Sequence, residues 1–248
     1  METRIKNKVT DISYDDTKEF FRKRAGKYDP QKPYCVTMYQ DNHSELVVER
    51  NRREVEILYP QLGISPKSRV LDIACGIGRW AYAISEEIDR YLGIDFSEEL
   101  IDIAKTRCKR PNFSFVAGNL KDIGSICGGE KYNTVFMIGI LMYLNDSDIC
   151  DILEGVISCC EENATVCIRE PVAVEGRLTL NHFYSEELQD DYNAIYRSNG
   201  ELTAIFERTF FKHGFTVKKQ AYLFEEPTLN NRKESSQYYY ILTRNGNV

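Results

Sequence analysis

Between residues 69 and 170 the chain alternates short apolar runs with longer amphipathic stretches. Five runs are almost continuously apolar: 69–75 (RVLDIAC), 90–96 (RYLGIDF), 113–119 (FSFVAGN), 132–141 (YNTVFMIGIL) and 164–170 (ATVCIRE). Such runs suit strands covered on both faces, as in a parallel sheet. The segments between them, about 77–88, 97–109 and 146–161, carry helical periodicity. Ser97 before Glu98 and Glu99 is a helix start, because the hydroxyl caps free N–H groups and the acids favour the positive end. Asp146, Ser147 and Asp148 repeat that signal. Strand, helix, strand, helix predicts an α/β, doubly wound, mostly parallel Rossmann-like sheet.

Three segments depart from this rhythm. The first 65 residues hold little strand signal and one clear helix, His43 to Leu58, ending before Pro60. They are expected to form a helical extension, with residues 66–248 as the main domain. Residues 172–197 read as an insertion leading to a helix over about 198–213, and a cap is placed at about 172–210. The end of the chain has two apolar-aromatic runs, 216–224 and 237–244, expected to form a hairpin at the sheet edge with 225–236 connecting them.

Composition adds exclusions. Of 248 residues, 42% are hydrophobic and 28% charged, an ordinary globular balance. A formal charge of -6 argues against a nucleic-acid surface. No apolar run reaches the roughly 18–20 residues of a membrane helix. The opening METRIKNKVTDISYDD lacks an apolar signal core, so a cytoplasmic protein away from membranes is expected. The run Arg22, Lys23, Arg24 with Lys27 reads as a solvated helix end. Eight cysteines show no C-x-x-C pair, which predicts reduced thiols and no metal site.

The chemistry concentrates at the first strand-to-helix turn, Asp72-Ile-Ala74-Cys-Gly76-Ile-Gly78. Glycines there permit a tight bend and close backbone approach to a ligand. Gly76-x-Gly78-x-x-Ala81 fits a dinucleotide turn with pyrophosphate on the helix N-terminus. Asp72 before the glycines equally fits a ligand bearing an amino group and a sugar. Asp95, ending the second run, can accept from ribose hydroxyls in either case. Phe96 beside it is placed to stack on a purine, and Asn119 after the third run to read an adenine edge. The closing pair of aromatic strands is unlike a second mononucleotide half.

These motifs resemble those of class I S-adenosylmethionine-dependent methyltransferases. VLDIACGIGRW (70–80) is similar to their first motif, D/E-x-G-x-G-x-G, with Ala74 at its first glycine. LGIDFS (92–97) and NTVFMIGILMYL (133–144) resemble the second and fourth motifs. The resemblance implies a seven-stranded sheet with its last strand reversed, and S-adenosylmethionine as cofactor, leaving S-adenosylhomocysteine. It implies that Asp72, Ala74, Gly76 and Gly78 line the methionine part and that Asp95 holds the ribose. Phe96, Asn119 and Leu120 would contact adenine, and Ile138 would offer backbone to the methionine end. Asn119 stands where this family often has Asp. Tyr28, Tyr34 and Tyr39 are candidates to close over the cofactor, and Arg50 to meet its carboxylate.

Acceptor residues are sought after the fourth and fifth strands, since ligands lie beyond the carboxyl ends of such strands. Tyr143, Arg169 and Glu170 sit there. The insertion adds His182, Tyr184, Tyr192, Tyr196 and Arg197. Tyr192 and Tyr196 are four apart and share a face if the segment is helical. His182, Glu170 and Tyr143 are the catalytic candidates, and Arg169, Tyr184, Tyr192, Tyr196 and Arg197 the substrate candidates. The C-terminal half also resembles methyltransferases of bacterial capsule and O-antigen clusters, through REP (169–171), RLTL (177–180), YNAIYR (192–197) and LNNRKESSQYYYILTR (229–244). This implies O-methylation of a sugar, nucleotide-sugar or phosphate/phosphoramidate-type acceptor in surface polysaccharide biosynthesis. The alternatives are small-molecule N-methylation, a nicotinamide-dependent oxidoreductase, or a non-catalytic cofactor-binding protein. RNA methylation is disfavoured by charge and by MIGI after the fourth strand, where N/D/S-P-P-Y/F would be needed. The expected partner is a small-molecule acceptor, and the chain a monomer or homodimer.

Overall fold

The computed structural model describes residues 2–39, 41–230 and 232–246. A short strand, β1 (Arg4–Lys6), precedes three helices: α1 (Tyr14–Gly26), α2 (Cys35–Met38) and α3 (Ser44–Leu58). The alternating region follows: β2 (Arg69–Ile73), α4 (Arg79–Ala83), β3 (Arg90–Asp95), α5 (Glu98–Arg107), β4 (Phe113–Ala117), α6 (Ile123–Cys127), β5 (Tyr132–Ile138), α7 (Ile149–Ser158) and β6 (Cys160–Ala173). The chain ends with β7 (Leu178–Ser185), β8 (Asp190–Tyr196), α8 (Asn199–Arg208), β9 (Thr216–Tyr222) and β10 (Ser235–Arg244).

Seven strands form the main sheet in the order β4-β3-β2-β5-β6-β10-β9. β2 pairs in parallel with β3 and β5, β3 with β4, and β5 with β6. β10 runs antiparallel to both β6 and β9, so the last strand is the reversed one. This is the doubly wound α/β architecture expected from the apolar runs. Strand periodicity of two divides the core. Leu71, Ile73, Val135, Met137, Val166 and Ile168 face one layer, with α1, α6, α7 and α8. Val70, Phe136 and Cys167 face the other, where Leu58 of α3, Trp80 of α4, and Ile101 and Ala104 of α5 cover them.

Three local expectations are corrected. The helix expected over 77–88 is only α4, because the chain turns extended at Ile84 and buries both Ile84 and Ile88. The segment holding Tyr192 and Tyr196 is strand β8, paired antiparallel with β7, and not a helix. The two tyrosines still share a face, because positions four apart coincide in a period of two as well as in one of 3.6. Arg24 is buried and not solvated. It donates to the Val36 carbonyl at 3.2 Å and pairs with Asp41 at 2.6 and 2.7 Å, tying α1 to the α2 region.

A second sheet, β1-β7-β8, meets through β8 the loop that follows β5, where Tyr192 bonds Tyr143. It joins the first residues of the chain to the insertion. β1 therefore adds a strand to an extension expected to be helical. Among the described residues no helix is long and apolar enough to cross a membrane, and no group of three or more His, Cys, Asp or Glu is placed to hold a metal ion.

Candidate cofactor and acceptor site

The β2–α4 turn is built from left-handed backbone. Ala74, Gly76 and Gly78 have φ of 57°, 54° and 71°. Only glycine enters this region freely, so Ala74 is held there by its surroundings. The two glycines are also crowded. A Cβ on Gly76 would lie 3.0 Å from Thr37 Cγ2, and one on Gly78 would lie 3.2 Å from Phe115 Cε1.

Asp95 ends β3 with its carboxylate pulled to this turn. It accepts from Gly76 N at 2.9 Å and Ser97 N at 3.0 Å. Burial raises its pKa to about 6, against the lowering effect of backbone donors. Asp72 is buried as deeply but takes no backbone donor from the turn. Its carboxylate accepts from the Tyr91 hydroxyl and lines neither cavity described below, and burial pushes its pKa up to about 7.

Two cavities lie at the carboxyl ends of the strands; Ala74, Gly76, Gly78 and Asp95 line neither, and the turn meets them through Thr37 and Phe96. The outer cleft, about 410 Å³, includes Phe96, Asn119, Leu120, Ile140 and Tyr143 in its walls. That volume falls in the ordinary range for small-ligand pockets. The inner cavity, about 70 Å³, includes Arg50, Ile138, Tyr143, Arg169, Tyr192 and Tyr196 in its lining. It has room for only a handful of waters. The N-terminal segment fills the ground between them. Phe21 meets Phe96 and Tyr143 edge to face, with ring centroids 5.6 and 5.3 Å apart, and Tyr39 closes the inner side.

The inner cavity is cationic and phenolic. Arg50 is buried, and its Nε and Nη1 lack hydrogen-bond partners. Desolvation lowers its pKa to about 10. Thr37 Oγ1, on the same cavity, is likewise buried and unpartnered. Glu54, one helical turn after Arg50, is shared by Arg79 and by Arg169, whose Nε stands 2.8 Å away. These two cations hold its carboxyl below the ordinary value in spite of burial. Arg169 also donates to Gln237 Oε1 at 3.1 Å. The phenols are linked: Tyr39 Oη lies 2.7 Å from Tyr143 Oη, and Tyr143 Oη lies 2.8 Å from Tyr192 Oη. Burial raises the pKa of all three above the normal range, so they remain protonated donors.

The other sequence candidates stand elsewhere. His182 is exposed at a break in the β7–β8 pairing, with φ 48° and Asp16 3.6 Å away. Tyr184 is exposed and donates to Gln189. Tyr28 packs on the core and lines neither cavity. Glu170 and Arg197 are buried behind the loop that follows β5. Sequence reasoning missed Thr37, Glu54, Ser235 and Gln237. Only Glu54 carried a signal, its four-residue spacing from Arg50 on one helix.

Residues 70–163 match a family model described as a methyltransferase domain. A demethylmenaquinone methyltransferase of Lactococcus lactis is 38% identical over 56 residues, covering 20% of this chain and 22% of that protein. The match thus spans about a fifth of that relative's length. Methyltransferase GfsG of Streptomyces halstedii is 22% identical over 218 residues, 77% of this chain and 78% of its own. Among solved structures, phosphoethanolamine N-methyltransferase 1 of Haemonchus contortus, in complex with phosphoethanolamine and S-adenosylhomocysteine, aligns with TM-score 0.69 at 18% identity. That alignment covers 96% of this chain and 51% of that one.

Residues 70–163 thus match a methyltransferase domain, and the sheet order is that of a Rossmann-like methyltransferase fold. The residues present fit S-adenosylmethionine, the cofactor that the motif resemblance implies. The glycine turn admits backbone approach, and Asp95 keeps lone pairs beyond its two backbone bonds. The unpartnered Arg50 and Thr37 Oγ1 supply donors for a carboxylate.

Proposed function

We propose that this chain uses S-adenosylmethionine to methylate an oxygen that a small molecule presents at the inner cavity. The cofactor supplies an activated methyl group, and the protein's part is to align the acceptor and exclude water. The observation that carries the reading is the pair of orphaned buried donors, Arg50 and Thr37 Oγ1, beside a left-handed glycine turn. A buried guanidinium without an anion is unfavourable, and a bound carboxylate relieves it.

Oxygen is favoured over nitrogen by the lining. Among its described residues there is no His, Lys, Cys or Asp, and its one acid, Glu54, is already shared by two arginines. An amine acceptor finds no free anion there. Arg169 and the protonated phenols suit an oxygen that is anionic or rich in lone pairs. This supports an acceptor that presents a phosphate-type or sugar oxygen to the cavity, the rest of a sugar-phosphate or nucleotide-sugar lying outside its roughly 70 Å³. A place in surface polysaccharide biosynthesis rests on the C-terminal sequence likeness alone.

Native mass spectrometry with S-adenosylmethionine, S-adenosylhomocysteine and, separately, NAD tests the first half. Binding of the methionine ligands without NAD is expected, and binding of NAD alone overturns the reading. A screen of phosphorylated, nucleotide-sugar and amine acceptors, read by S-adenosylhomocysteine release, tests the second. Turnover confined to amines would reverse the choice of oxygen.

A further inference from the structure

The loop after β5, Gly139–Asp146, belongs to both cavities. Ile140, Tyr143 and Leu144 line the outer cleft, and Gly139, Met142 and Tyr143 line the inner cavity. It is gripped from two sides by opposite charges. Glu170 of β6 accepts three consecutive backbone N–H groups: Ile140 and Leu141 at 2.8 Å on Oε1, and Met142 at 3.2 Å on Oε2. Arg197, just past β8 of the second sheet, donates to the carbonyls of Leu141 at 2.7 Å and Leu144 at 2.6 Å. It also bonds Asp146 through Nε at 3.0 Å. The same loop holds the N-terminal segment. Asn145 pairs with both backbone groups of Ile12, at 2.9 and 3.0 Å, and its N–H meets the Tyr14 hydroxyl at 2.9 Å.

We propose that Glu170 and Arg197 are positioning residues that jointly hold the Gly139–Asp146 loop, and with it Tyr143, in the shape that both the cofactor cleft and the acceptor cavity require. The inference rests on the methyltransferase reading for its ligand, but the clamp itself is a property of the chain. Neither residue lines a cavity, so neither takes part by contact. A carboxylate on N–H groups and a guanidinium on carbonyls are among the stronger hydrogen bonds a loop can accept, and they act here where water is excluded. The two come from different sheets. The loop is therefore where the insertion and the main sheet are brought into register.

The test compares wild type with Glu170→Gln, Glu170→Asp and Arg197→Lys. Glutamine keeps one acceptor oxygen and sets an NH2 group against Met142 N–H. Hydrogen exchange of the full chain without ligand is the first readout. The amides of 140–142 are expected to exchange about tenfold faster or more in Glu170→Gln and Arg197→Lys, with the main-sheet amides unchanged. S-adenosylhomocysteine affinity, by calorimetry, is expected to fall about tenfold in the same variants and to recover in part in Glu170→Asp.

A pH series separates positioning from plain structure. Burial raises the Glu170 carboxyl to about 7, against the lowering effect of the loop N–H groups and of Arg169 beside it. Tyr238 stands opposite it on β10, and Arg197, paired with Asp146, meets the same loop at the Leu141 and Leu144 carbonyls. Affinity is expected to rise with pH through about 7 in wild type, and that step is expected to be missing in Glu170→Gln. Wild-type loop exchange with unchanged affinity in Glu170→Gln overturns the clamp, as does loosening spread evenly over the whole sheet. If S-adenosylhomocysteine fails to bind wild type, the cofactor reading falls, while the exchange result still decides the clamp.

Discussion

Replacing Arg50 with methionine is expected to stabilise the free protein and to weaken the cofactor. Arg50 is 2% exposed, two of its guanidinium nitrogens lack partners, and burial lowers its pKa from the ordinary arginine value to about 10. At about 1.4 kcal/mol per unit, that shift amounts to roughly 3 kcal/mol of uncompensated desolvation. Residual water near the group and the lost stem packing reduce this to about 2 kcal/mol. Methionine keeps a flexible apolar stem of similar length and removes the charge. At ~2–4 °C per kcal/mol for a chain of this size, the free protein's Tm should rise by about 4–8 °C. The ligand effect has the opposite sign. Losing a hydrogen bond to a charged group costs about 1.5–3 kcal/mol, a loss of roughly ten- to a hundredfold in S-adenosylhomocysteine affinity. Thermal unfolding with and without ligand, beside calorimetry, reads both. A free protein that loses stability would refute the claim that Arg50 waits for an anion. Unchanged affinity would refute the claim that the anion is the cofactor's carboxylate.

Three further outcomes follow from the turn. Asp95 has a folded pKa near 6, above its unfolded 3.8, so ionising it weakens the free fold as pH rises from about 4 to 6. Ribose hydroxyls donate to the ionised form, so S-adenosylhomocysteine should bind about tenfold tighter at pH 7 than at pH 5 from this group. Asp95→Asn should remove that dependence, and a slope that survives in the variant would clear Asp95 of the role. Gly78→Ala adds left-handed strain at φ 71° and a contact at 3.2 Å. The expected loss is about 2 kcal/mol, or roughly 4–8 °C in Tm, and a neutral result would contradict the turn geometry. Ala74→Gly relieves strain at φ 57° but frees the unfolded chain by a similar amount. Its Tm should stay within about 2 °C of wild type, and a drop beyond about 5 °C would show that the methyl itself holds the turn.

What the sequence revealed and what it hid divide along one physical line. Buried parallel strands need unbroken apolar runs, so β2 to β6 were legible to within a few residues, apart from the early start of β6 at Cys160. The turn was legible because left-handed backbone selects glycine, which marked Gly76 and Gly78. The acceptor cavity obeys no such local rule. Tyr39, Arg50, Tyr143, Arg169 and Tyr192 come from five separated elements, and only the packing of the second sheet and the N-terminal segment brings them together. Their side-chain types suggested chemistry, but not which of them would meet. Glu170 and His182 illustrate the limit. Both are plausible proton acceptors by type. Three backbone donors capture the first, and a left-handed break in β7 turns the second out beside Asp16. A titratable residue becomes a base only when its lone pair is free and aimed at the acceptor, and the identity of the residue fixes neither condition. In this cavity the one acid, Glu54, is already held by two arginines and the other charged side chains are cations, so under the proposed function specificity rests on the oxygen that the acceptor presents.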